Sequence, residues 1–118
     1  MIGVDFSDKA VNLCKKYYCV DGLSFVPGDA EHLPFDDDSF DAVVNVESSH
    51  CYGSMATFLA QVKRVLKPGG HFLFADFRTR EQIDEQLADF HDKGYGGVFV
   101  HPRPGLITPY LSDEWMEL

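Results

Sequence analysis

Apolar residues recur along this chain at two spacings, and they change places in a regular order. Short, nearly continuous apolar runs at 2–5, 23–26, 40–46 and 71–76 predict strands buried in a sheet. Between the first two, Ser7 is a good N-cap with Asp8 in the first turn, and Ala10, Cys14, Tyr17 and Tyr18 follow at helical spacing. This predicts a helix over 7–18 that stops by Gly22. Met55, Phe58, Leu59, Val62, Val65 and Leu66 keep i, i+3, i+4 spacing and predict a second helix over 55–66. Lys67-Pro68-Gly69-Gly70 ends it, with a cation near the negative pole and breakers beyond. A third, acid-fronted helix is expected over 81–93 with Ile83, Leu87 and Phe90 inward. The segment 29–39, acidic and broken by Pro34, reads as a loop. After Tyr95 the pattern fades to a short strand at 98–100, a loop at 102–109 and a helical turn capped by Ser112.

Strands alternating with helices of this length predict βαβ units: an α/β fold with a parallel sheet and right-handed crossovers. The 118 residues allow one domain, with the clear pattern over 1–94 and a faint one over 95–118. Charge narrows the partners. Ten Lys and Arg against 19 Asp and Glu leave −9, which argues against a nucleic-acid backbone or an anionic membrane as the main partner. Cys14, Cys19 and Cys51 form no CxxC pair and the five His are scattered, so no metal site is expected. Cys14 is expected in the core of a reduced, cytoplasmic protein. No apolar stretch approaches the roughly 18 residues a bilayer span needs.

In such sheets ligands bind beyond the carboxyl ends of the strands, which directs attention to Asp5, Asp29, the segment 45–50 and Asp76. An acid at Asp5 can accept both hydroxyls of a ribose. Equally, an acid before a helix gains about 0.3–1 kcal/mol from the dipole. Asp29 can accept from an adenine amino group while the next backbone N–H donates to a ring nitrogen. A bond to a charged group is worth about 1.5–3 kcal/mol. Asp29 also suits a plain turn.

Four segments in register extend this. Gly3-Val4-Asp5-Phe6-Ser7, Gly28-Asp29-Ala30-Glu31 with Leu33-Pro34-Phe35, Ser39-Phe40-Asp41, and Arg64-Val65-Leu66-Lys67-Pro68-Gly69-Gly70 together resemble the class I S-adenosylmethionine-dependent methyltransferases that modify small molecules and lipids. The resemblance covers roughly residues 2–94. Glu47-Ser48-Ser49-His50-Cys51-Tyr52 and Ala75-Asp76-Phe77-Arg78 look most like the subgroup that methylates hydroxyls of phenolic glycolipids and polyketide-type lipids.

That resemblance implies S-adenosylmethionine as cofactor and a Rossmann-like sheet. Asp5 would bind the ribose and Phe6 would pack on the adenine, although an aromatic after a strand also suits a core. Asp29 and the Ala30 backbone would recognise the adenine edge, and Asn45 would lie near the methionine portion. Gly69-Gly70 would turn the chain into the next strand.

His50 is the candidate general base, and Glu47 would orient it or line the acceptor pocket; both also suit ordinary loop positions. Orienting nucleophile and sulfonium is worth up to about 7–11 kcal/mol, and a base adds roughly 10²–10⁴-fold. The expected activity is methyl transfer to a hydroxyl of a small-molecule or lipid acceptor.

The chain departs from the family at both ends, since the strands that usually finish the sheet are also expected beyond Leu118. Members carry, before the position of Met1, a strand and a glycine-rich loop that wraps the methionine end of the cofactor. The chain therefore reads as a partial domain lacking the first strand. In the family's sheet that strand lies between the strands ending at Asp5 and Val46, so those two are expected either to pair directly or to expose their edges. The 118 residues alone are expected to be inactive. Two alternatives remain: a non-catalytic remnant that binds an adenosine-type ligand or a protein, and an NAD-type dinucleotide-binding domain. The second fits the 28–35 and 67–70 patterns less well.

Overall fold

The computed structural model describes residues 1–76, 78–94 and 116–117. Strand β1 (Ile2–Asp5) leads to helix α1 (Asp8–Tyr17), β2 (Ser24–Pro27) and β3 (Phe40–Val46). Helix α2 (Met55–Val65), β4 (Leu66–Ala75), α3 (Arg80–Asp92) and β5 (Met116–Glu117) follow. β1 and β2 pair in parallel as a two-stranded sheet; β3 and β4 pair in parallel in a second sheet, with β5 antiparallel at its edge. Among the described residues no ladder joins β1 to β3, so the direct pairing of these two strands does not occur.

The caps form as the side chains dictate. Ser7 Oγ accepts from Ala10 N, Ser54 from Thr57 N, and Thr79 closes a reciprocal capping box with Gln82. On α2 the residues Phe58, Leu59, Val62 and Val65 are buried, which is the face its spacing predicts. Phe58, Leu59 and Val62 meet Leu66, Phe72 and Phe90 in the main core. Phe72 is central to it, with ring centroids 5.9 Å from Phe58 and 6.2 Å from Phe90.

Three expectations are corrected. The β3 run is not buried on both faces. Val43 packs on the core and Asn45 is buried, whereas Val44 is 63% exposed and Val46 49%. Pairing with β4 and cover from α2 account for one face only. Tyr17 and Tyr18 point outward, and Val11 is the buried residue of α1, because this helix faces just the narrow β1–β2 sheet. Cys14 is half-buried.

The fourth strand starts at Leu66 rather than at 71. Leu66 caps α2 and at once pairs with Phe40. The register then shifts between Phe40 and Ala42, with Leu66–His71 opposite, so 67–70 form a bulge. Gly69 sits there at φ 78, and a Cβ on Gly70 would lie 2.9 Å from the Lys67 carbonyl oxygen and 3.1 Å from that of Asp41. The two glycines are required by the bulge, not by the helix end. The expectations at 98–100, 102–109 and Ser112 lie outside the described residues; beyond them Met116–Glu117 pair as strand with Phe72 and His71.

Candidate functional site

The carboxyl end of the β1–β2 sheet carries the first group of candidates. Asp5 and Pro27 are register partners, and Gly28 N donates to the Asp5 carbonyl at 3.0 Å. A Cβ on Gly28 would stand 2.9 Å from Val4 Cγ1 and 3.1 Å from Pro34 Cδ, so only glycine brings the two strand ends this close. Asp5 and Asp29 thus both stand at strand ends on the carboxyl edge of this sheet. Asp5 Oδ1 accepts Ser7 N at 2.8 Å and Asp29 Oδ1 accepts Glu31 N at 2.8 Å. Each acid spends one oxygen on its own turn, and an ionised carboxylate has acceptor sites beyond that. His32 Nδ1 lies 3.6 Å from Asp29 Oδ2. Phe6 is 83% exposed, which excludes its core reading. Ala30 packs partly against the main core.

The loop after β2 ties this edge to the second sheet. Glu31 Oε2 accepts Gly53 N at 3.0 Å, and Gln61 Oε1 accepts Leu33 N at 3.1 Å. Arg64 donates to the carbonyls of Leu33 (2.9 Å) and Phe35 (2.7 Å) and to Asp37 Oδ1 (2.9 Å). A guanidinium with several donors in one plane suits this task, because it satisfies loop carbonyls that form no ladder.

The carboxyl end of β3–β4 carries the second group. Asn45 is 8% exposed; its Nδ2 donates to the Tyr52 hydroxyl at 2.8 Å and its Oδ1 is buried without a partner. Burial raises the Tyr52 pKa above the ordinary phenol value, against the opposing Asn45 hydrogen bond, so the ring stays neutral and is no base. Glu47 N donates to the Ala75 carbonyl at 2.7 Å, and Glu47 itself has φ 50. That left-handed residue turns the chain from β3 into the short 3-10 turn Ser49–Cys51, over the end of β4.

There His50 meets Asp76. Its Nδ1 lies 3.0 Å from Asp76 Oδ1, and its backbone N donates to Asp76 Oδ2 at 3.0 Å. The imidazole is 32% exposed and the carboxylate fully buried. Arg78 Nη1 is 3.1 Å from Asp76 Oδ2, Arg78 Nη2 donates to Ser49 Oγ at 2.7 Å, and Ser49 Oγ donates to Asp76 Oδ2. The carboxylate on the imidazole is therefore Asp76, where the sequence reading offered Glu47.

Asp76 was visible as a strand-end acid, but its pairing with a residue 26 positions earlier depends on the parallel register of β3 and β4. Ser49, Arg78 and Tyr52 escaped as site residues for the same reason. A Ser-His after one parallel strand and an Asp-x-Arg after the next was the available signal.

A shallow concavity of about 630 Å³ lined by Tyr18, Cys19, Leu23 and Phe25 lies at the amino end of β2, away from both groups. Among the described residues no cluster of three His, Cys, Asp or Glu could hold a metal ion, and no helix is long and apolar enough to cross a membrane.

Comparison with known proteins identifies the family. Residues 1–74 match the model of the methyltransferase domain. The chain belongs to that methyltransferase family. The phthiotriol/phenolphthiotriol dimycocerosates methyltransferase of Mycobacterium tuberculosis is 54% identical over 87 residues, 74% of this chain and 32% of the relative. A fatty-acid O-methyltransferase of Mycolicibacterium smegmatis is 51% identical over 83 residues, 70% of this chain and 30% of the relative. The chain thus spans about a third of the length of the curated relatives it matches. Its fold resembles a chain in the complex between the Haloferax volcanii Trm112 methyltransferase activator and its methyltransferase, with TM-score 0.73 and 31% identity over 80% of this chain and 50% of that one.

The fold is a Rossmann-like methyltransferase fold in partial form, and the family's cofactor is S-adenosylmethionine. The residues present fit that group in kind. Two strand-end acids suit a ribose and an adenine amino group, and the orphaned Asn45 Oδ1 is a buried acceptor for a polar donor such as the ammonium of the methionine end.

Proposed function

We propose that this chain belongs to an enzyme that methylates a hydroxyl of a lipid-type acceptor. The observation that carries the reading is the His50 imidazole held by a buried carboxylate at the carboxyl ends of parallel strands, where α/β sheets bind ligands. The names of the mycobacterial relatives, one a dimycocerosate methyltransferase and one a fatty-acid O-methyltransferase, support a lipid acceptor.

When bound, the cofactor supplies a methyl group on a sulfonium, so transfer forms an O–C bond, breaks a C–S bond and leaves a neutral thioether. The chain's own residues do the rest. Asp5 would accept hydrogen bonds from the ribose hydroxyls, and Phe6, whose ring is exposed, would stack on the adenine. Asp29 and the Ala30 backbone would read the adenine edge, and Asn45 would hold the methionine end. His50 takes the proton from the acceptor hydroxyl as its oxygen attacks, and Glu47 lines the acceptor side.

The test is to incubate the full-length protein with labelled S-adenosylmethionine and long-chain lipids bearing either free hydroxyls or free carboxyls. A methyl ether product, reduced roughly 10²–10⁴-fold by His50→Ala, is expected. An ester as the sole product, or unchanged turnover in His50→Ala, would overturn the hydroxyl reading or the base.

A second reading, a non-catalytic adenosine-binding module, is favoured for the 118 residues alone by the separation of β1–β2 from β3–β4. The adenosine group and the His50 group then lie on different sheets. Orientation worth up to about 7–11 kcal/mol needs both held at fixed spacing. Residues 1–118 by themselves are expected to show no turnover above background; turnover that disappears in His50→Ala would rule this module reading out.

A further inference from the structure

The His50–Asp76 contact constrains more than the position of a side chain. A fully buried carboxylate is tolerated only with its charge balanced and its oxygens hydrogen-bonded, and Asp76 has both. Among the described residues, the Ser49 hydroxyl, the His50 backbone N–H and Arg78 Nη1 meet Oδ2. Ser49 Oγ accepts from Arg78 Nη2, so its own proton goes to the carboxylate. Oδ1 meets His50 Nδ1. Since an ionised carboxylate only accepts, Nδ1 must carry the proton.

We propose that Asp76 is a positioning residue that fixes the neutral tautomer of His50 with hydrogen on Nδ1 and the basic lone pair on Nε2, while Ser49 and Arg78 fix Asp76. The proposal rests on His50 as the base of the reading above, and it names the residues that make the base competent. The parallel register sets the geometry: Val46 pairs with Ala75, so the turn after β3 and the residue after β4 emerge together.

The geometry makes a directional prediction for Asp76→Asn. An amide has one accepting end, and the donors at the Oδ2 position will claim it. The NH₂ then faces His50 Nδ1 and donates to it, so the ring proton must move to Nε2. The base points the wrong way although the shape is almost unchanged.

The test uses the full-length enzyme with ¹⁵N-labelled histidine, and long-range ¹H–¹⁵N spectra at alkaline pH. Wild-type His50 is expected to give the pattern of an Nδ1–H tautomer, and Asp76→Asn that of Nε2–H. In the same pair kcat should fall roughly 10²–10⁴-fold with the acceptor KM little changed. Wild-type His50 protonated on Nε2, or an unchanged tautomer in a folded Asp76→Asn, would overturn the proposal; the wild-type spectrum decides it even where the variant fails to fold. Loss of the base reading shows separately, as unchanged turnover in His50→Ala with the tautomer result intact.

Discussion

Gly28 donates its backbone N–H to the carbonyl of Asp5 at 3.0 Å, tying together the two strand ends that carry Asp5 and Asp29. Asp5 and Asp29 come from different βα units, yet both face the same edge. In the full-length protein, Asp5→Ala or Asp29→Ala should each weaken S-adenosylmethionine binding by about 1.5–3 kcal/mol, the worth of a hydrogen bond to a charged group. Isothermal titration checks this, and unchanged affinity in both variants removes them from the cofactor site.

Arg64 holds the loop between the two sheets through the carbonyls of Leu33 and Phe35. Arg64→Ala leaves both part-buried acceptors without that donor and should destabilise the protein by about 2–3 kcal/mol. Urea unfolding gives the number. A change within a few tenths of a kcal/mol would mean that water replaces the guanidinium without loss.

Glu47 separates a backbone role from a side-chain role. Its φ of 50 favours glycine, so Glu47→Gly keeps the turn into Ser49–Cys51 while removing the carboxylate. Thermal stability should hold or rise slightly. Turnover should drop if the carboxylate lines the acceptor side, as proposed. Equal turnover in Glu47→Gly and wild type would leave Glu47 only its backbone conformation.

Tyr52 provides a pH signature. Its pKa is raised in the folded state, chiefly by burial, so the contribution of the neutral phenol is fully present below the ordinary value near 10. It is lost as pH rises through the raised value, because ionisation costs more in the folded chain than in the unfolded one. The stability difference between wild type and Tyr52→Phe should therefore be constant from pH 7 to 9 and shift against wild type above about 10. Denaturant midpoints across that range test it; a constant difference up to pH 11 would contradict the burial of the hydroxyl.

Much of this protein is legible in one dimension, because local rules set it. Ser7, Ser54 and Thr79 cap helices through atoms three residues away, and the spacing of Phe58, Leu59, Val62 and Val65 marks the buried face of α2. The acids at Asp5 and Asp29 announce themselves by following apolar runs. What lay beyond the sequence depends on which strands become neighbours. The exposure of Val44 and Val46 follows from β3 having one covered face, a property of the sheet and not of the run. The early start of β4 follows from Leu66 meeting Phe40, which allows a bulge where the sequence suggests a simple helix stop. The sequence offers Glu47 as the acid to hold His50 and Asp76 only as an acid at a strand end; the register of β3 and β4 decides for Asp76. That register brings residue 76 to residue 50, and a side-chain contact across 26 positions has no periodicity by which a sequence could declare it.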